Sequence, residues 1–158
     1  MALKTSILSL EEQAKTGFTH KSVITYSDIA TAGGANTAVS MNLLPYAAGT
    51  AFQAAAYKIV GAGFVGASVT NLTVIVGWNG GTTDDDNGLI EASEIATAGT
   101  EVLYLLGNGE AFATKKSGYV ALDAGSIQAT FTATGADLDQ LSAGEIHIYL
   151  KAVDLTAY

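Results

Sequence analysis

The chain has 158 residues, 49% of them apolar and only 14% charged, with 15 acids against 7 bases and a formal net charge of −8. That length suits one domain with a real core, while an acidic chain with scattered bases lacks the clustered Lys and Arg that grip a phosphate backbone, so nucleic acid is not an expected partner. The absence of cysteine removes disulfides, thiolate metal sites and cysteine nucleophiles, and no apolar run reaches the length of a membrane-spanning helix.

Residues 1–16 read as an N-terminal arm or short helix. Leu3, Ile7, Leu8 and Leu10 have weak helical spacing, and Ser9 with Glu12 has the form of a capping box. Gly17 cuts any such helix short. A short apolar run broken by Glu11-Glu12 is not the pattern of a signal peptide. Residues 17–158 are expected to form a single β-sandwich domain. Phe18 to Tyr26 reads as a strand, with β-branched Val23, Ile24 and Thr25, and Ala30 to Thr37 reads as a loop around Gly33-Gly34. Ala38 to Leu44 reads as a second strand stopped by Pro45, which cannot donate to a ladder. Thr50 to Val60 fits a helix through Phe52, Ala55, Ala56 and Ile59, or a strand through Tyr57-Lys58-Ile59-Val60. The strand is preferred, because Gly61, Gly63 and Gly66 would each cost a helix about 1 kcal/mol.

Val69 to Trp78 is the strongest central strand, with Leu72, Val74 and Val76 in alternation. An acidic loop from Asn79 to Gly88 follows. Glu101 to Leu106 reads as a strand closed by Gly107-Asn108-Gly109, and Tyr119 to Leu122 as a short one. At the end of the chain Ile127, Ala129, Phe131 and Ala133 alternate with polar residues, as do Ile146, Ile148 and Leu150. Period-two alternation marks strands with one face on a core, and Gly135 to Gly144 suits a reversing loop between these two. The expected class is all-β: an antiparallel β-sandwich or jelly roll of about eight short strands with an N-terminal arm. No strand–helix alternation suggests a doubly wound sheet. The low charge fraction suggests that another chain covers part of the surface.

The sharpest chemical pattern runs from Thr83 to Glu94. Laid on a calcium loop, Asp85, Asn87 and Glu94 fall at ligand positions three, five and twelve, with Gly88 at the turn. Thr83 stands where the first acid belongs, and the flanks do not read as helices, so a solvated turn competes. The histidines, His20 and His147, lack a third zinc ligand and read as wet-face positions. No Gly-x-Ser-x-Gly elbow is present. Asp137, Asp139 and Glu145 could form a glycosidase pair, but their Gly-rich setting favours turn chemistry. Gly61 to Gly66 spells G-x-G-x-x-G without a helix after it. Trp78 and the tyrosines are candidate sugar platforms, better read as core and interface anchors. No catalytic residue, and no cofactor beyond a possible calcium, is assigned.

The run Tyr57-Lys58-Ile59-Val60, Phe64, Leu72-Thr73-Val74-Ile75-Val76-Gly77-Trp78 and Gly88-Leu89-Ile90 resembles a class of small tailed-bacteriophage virion proteins. So does the ending Ile127-Gln128-Ala129-Thr130-Phe131 with Leu141-Ser142-Ala143-Gly144-Glu145-Ile146-His147-Ile148-Tyr149-Leu150. These are decoration or cement proteins with a β-sandwich or jelly-roll fold. The resemblance implies a homotrimer on the capsid surface of the virion, assembled in the host cytoplasm, that binds the major capsid protein and clamps its subunits together. It implies no catalytic residue. The arm and the tail Asp154 to Tyr158 would then be straps across neighbours. The other expectations to weigh are a tail, baseplate or fibre module that binds a protein or a cell-surface glycan, and a hydrolase on a jelly roll.

Overall fold

Strand alternation builds two facing antiparallel sheets. The computed structural model describes residues 4–80, 84–96, 105–106 and 119–155. Sheet A places β1 (Lys4–Ile7), β2 (His20–Thr25), β10 (Leu141–Asp154), β4 (Thr50–Gly66) and β7 (Leu105–Leu106) side by side, with β8 (Tyr119–Val120) also on β4. Sheet B runs β3 (Ala38–Tyr46), β9 (Gly125–Thr134), β5 (Asn71–Asn79), β6 (Asp85–Glu94). The all-β sandwich expected from the sequence is the observed architecture.

Register puts the apolar phase of every long strand into one core. Ile24, Ile146 and Ile59 stand abreast across sheet A, and Met41, Ala129 and Val76 across sheet B, all buried. An aromatic trio closes one end of the core. The rings of Tyr46 and Phe52 meet edge-on at 5.0 Å, and those of Phe52 and Trp78 lie 5.5 Å apart. Phe52 comes from sheet A and Trp78 from sheet B, so the trio pins the layers together. One side of the sandwich is closed by the Thr5 hydroxyl, which donates to the Leu43 carbonyl at 2.7 Å. The other is closed by the Phe64 amide on the Ile95 carbonyl at 3.1 Å.

Four features depart from the sequence reading. The two C-terminal strands do not pair with each other, because β9 belongs to sheet B and β10 to sheet A. Their link carries a 3₁₀ turn (Leu138–Gln140) whose buried Leu138 plugs the end of the core. Alternation shows which face of a strand is buried, not which strand lies beside it. Secondly, Tyr26–Gly33 is a helix, α2, capped by the Thr25 hydroxyl on the Asp28 amide and by Asp28 in return. Thirdly, β3 continues through Pro45 to Tyr46. It is the end strand of its sheet, where a missing N–H is tolerated. Finally, β4 passes through Gly61 and Gly63, with φ of 73° and 87°, into 17 residues of strand. Those glycines bend a strand rather than end it.

The first residues form structure of their own. β1 pairs with β2, and α1 (Leu10–Thr16) is opened by the Ser9–Glu12 capping box and closed by Gly17 at φ 77°. Leu8 and Phe18, on either side of α1, bury themselves with Ala56 on the outer face of sheet A. The expected strand positions at 101–104, the turn 107–109 and the tail residues 156–158 lie outside the described residues.

Candidate functional site

The calcium pattern is placed first. Asp85 and Glu94 sit at the two ends of β6, opposite Trp78 and Thr73 of β5. Trp78 and Thr73 are five residue steps apart on the partner strand, roughly 17 Å at the rise of a β-strand. Calcium ligands lie about 2.3–2.6 Å from the ion, so Asp85, Asn87 and Glu94 do not form one coordination set. Thr83 lies outside the described residues. Asn87 instead donates from Nδ2 to Glu91 at 3.1 Å. Gly88 serves packing instead of a calcium turn. A Cβ there would come within 2.4 Å of the Trp78 ring, so the glycine lets the indole pack beneath β6. Among the described residues no three His, Asp or Glu side chains converge to hold a metal.

The other candidates separate in the same way. His20 and His147 lie on opposite faces of sheet A. His20 shares the phase of Ser22 and Ile24 and lines a pocket of about 180 Å³ with Pro45, Tyr46 and Asp154 at the open end between the sheets. Burial pushes its imidazole below the ordinary value of 6.5. His147 faces outward, with Nε2 2.6 Å from a Glu145 carboxylate oxygen. Asp137 and Asp139 flank Leu138 on the 3₁₀ turn, where the Asp139 amide donates to Gly34, whereas Glu145 is held on β10. The G-x-G-x-x-G run lies within β4, with no helix N-terminus to receive a phosphate. Trp78 is 2% exposed and belongs to the core, so it offers no sugar platform.

What the fold does assemble is a lysine-bearing sheet face. Outward positions on β2, β10 and β4 bring Lys21 beside Tyr149 and Lys58 beside His147, with Lys151 one step further along. The Lys21 ammonium lies 5.9 Å from the centre of the Tyr149 ring, and all three lysines are half-buried. Among the described residues none of the three forms an ion pair within the chain. At one end of this face Tyr26, Val60, Val65, Ala62 and Ala143 line a mostly apolar groove of about 360 Å³, with Thr25 and the carboxylate-bearing Glu145 at its wall. Sheet B presents the opposite chemistry. Its outward positions on β3, β9 and β5 carry Ser40, Asn42, Gln128, Thr130, Thr132 and Thr73, which bond among themselves: Ser40 with Thr130 at 2.8 Å and Gln128 with Asn42 at 2.6 Å. The lysine face was hidden in the sequence, because each lysine occupies an ordinary wet position of its own strand and only the pairing sets them side by side.

No family model and no curated protein matches the sequence. Among solved structures, a chain of the "Cyanophage Pam1 capsid asymmetric unit" is similar over 96% of this chain and 87% of that one, with 12% identity and a TM-score of 0.51. A chain of the "Acidic stable capsid structure of Helicobacter pylori bacteriophage KHP30" aligns over 96% of both, with 10% identity and a TM-score of 0.43. At such identity the first likeness is one of fold, the β-sandwich described above.

Proposed function

We propose that the chain is a structural protein of a bacteriophage virion: a decoration or cement protein that sits on the outside of the head as a homotrimer and stabilises contacts between major capsid protein subunits. The observation that carries this reading is the likeness, along 96% of the chain, to a chain of a cyanophage capsid asymmetric unit. The surface is consistent with it. Two broad sheet faces of different chemistry and few charges suit burial between subunits, and the described candidates for chemistry lie apart from one another.

The mechanism is linkage. A protein that binds the assembled shell but not free subunits stabilises the shell by its free energy of binding, and its effect grows with its concentration. Such a role needs complementary surfaces and no reacting group. The test is to produce the chain together with the major capsid protein of the same phage and to sediment the resulting shells. The expected result is co-sedimentation at fixed stoichiometry and a higher temperature of shell disruption than without the chain. A chain left at the top of the gradient beside intact shells overturns the proposal.

A further inference from the structure

We propose that Asn79 is a site of self-modification: the fold gathers around the Asn79-Gly80 bond the groups that convert the asparagine to aspartate or isoaspartate through a cyclic imide. Two hydrogen bonds carry this reading. The Gly80 amide donates to an Asp84 carboxylate oxygen at 2.6 Å. A base therefore already holds the proton that this nitrogen gives up when it attacks, at the separation general-base catalysis needs. The Ser126 amide donates to the Asn79 side-chain oxygen at 3.2 Å. It polarises the carbon under attack and meets the negative charge that develops on its oxygen. Nitrogen and carbon are already joined through the Cβ, Cα and carbonyl carbon of Asn79, so closing the ring is a rotation and not an encounter.

The surroundings suit the reaction. Asn79 is the last residue of β5, so the Cα–C bond that must turn lies where the strand ends. Gly80 has no side chain to shield its nitrogen, and packing keeps it so, because a Cβ there would come within 2.4 Å of the Tyr46 hydroxyl. Asn79 is exposed and opens on a polar pocket of about 380 Å³ that it shares with Asp84, Ser40 and Gln128, through which water enters and ammonia leaves. In the first step Asp84 takes the Gly80 amide proton as the nitrogen adds to the Asn79 side-chain carbon, and the tetrahedral oxyanion rests on the Ser126 amide. The intermediate collapses by breaking the bond to the side-chain nitrogen, Asp84 returns its proton to that nitrogen, and ammonia departs. Water then opens the imide at one carbonyl or the other, giving aspartate or isoaspartate. The balance is a water consumed and an ammonia released, with no oxidant or reductant, and the product adds a negative charge to the hydroxyl-and-amide face of sheet B.

The same dipeptide recurs as Asn87-Gly88, held within β6 with the Asn87 amide nitrogen on Glu91, and this second site is an internal reference. The experiment is incubation of the full chain at neutral pH, with conversion at residues 79 and 87 read separately by tandem mass spectrometry and isoaspartate detected by enzymatic methylation. In the folded chain Asn79 is expected to convert at least about tenfold faster than Asn87, and faster than it does itself in the chain unfolded in urea. Asp84→Asn keeps an oxygen for the Gly80 amide but no longer takes its proton. It is expected to slow conversion at 79 at least about tenfold and leave 87 unchanged, with the fluorescence of the single tryptophan, Trp78, showing that the fold is intact. Equal rates at the two sites in the folded chain overturn the proposal, as does an Asn79 that converts more slowly folded than unfolded. A folded Asp84→Asn chain that converts at the wild-type rate overturns it too. The two wild-type comparisons decide the matter whether or not the variant folds.

Discussion

At the scale of the residue, the buried polar groups and close contacts give the sharpest expectations. The Tyr57 hydroxyl is buried and, among the described residues, lies outside hydrogen-bonding geometry with any partner; the Ser93 hydroxyl near it donates to the Glu91 carbonyl. Burial pushes the Tyr57 phenol up. Removing an unpaired buried hydroxyl costs nothing in bonding, so Tyr57→Phe should match or exceed wild-type stability, by up to about 1 kcal/mol in urea denaturation. Gly88→Ala should do the reverse. Its Cβ meets the Trp78 ring at 2.4 Å, and overpacking of this kind costs about 1–3 kcal/mol. As the chain has a single tryptophan, its fluorescence reports that site directly. His20 supplies a pH dependence. Its folded value lies below 6.5, so as pH falls past 6.5 the unfolded chain takes the proton first and stability drops until the folded value is passed. His20→Gln should flatten that part of the curve of stability against pH and leave it unchanged above. Because Asp85, Asn87 and Glu94 are spread along β6, added calcium or chelator should leave the melting temperature unchanged.

At the scale of the element, caps decide what the periodicity could not. The Ser9–Glu12 box was legible because Ser-x-x-Glu is the standard form, and α1 follows it for seven residues. The Thr25–Asp28 box starts α2 inside a stretch whose small residues and Gly33-Gly34 read as loop. There Asp28 replaces the usual Glu or Gln at the third position, and Ile29 is fully buried. Thr25→Ala removes the hydroxyl that accepts from the Asp28 amide and should cost about 1 kcal/mol. Hydrogen exchange should show the loss first in α2. The same helix touches the 3₁₀ turn through Gly33, where a Cβ would fall 2.5 Å from Leu138. This contact ties α2 to the crossover between β9 and β10.

For the whole molecule, topology governs both folding and surface. β2 pairs with β10 and β3 with β9, so both sheets need contacts between distant parts of the chain. Non-local β topologies fold slowly, and stopped-flow refolding should fall in the range of about milliseconds to seconds. Sub-millisecond refolding would contradict the pairing order. The two outer faces differ because the wet phase of sheet A carries lysines, whereas that of sheet B carries hydroxyls and amides.

Fold class and core were written locally. Ile146, Ile148 and Leu150, or Leu72, Val74 and Val76, declare their buried face by alternation alone, and the pleat of a strand leaves them no other arrangement. The glycine run at 61–66 excluded a helix by its entropic cost. Neighbourhood was not written locally. The parting of β9 and β10 into separate sheets, the passage of β3 through Pro45, the burial of Trp78 against Gly88 and the gathering of Lys21, Lys58 and Lys151 all depend on which strand lies beside which. That order is set by packing energy summed over the whole core, and no single stretch of sequence contains it.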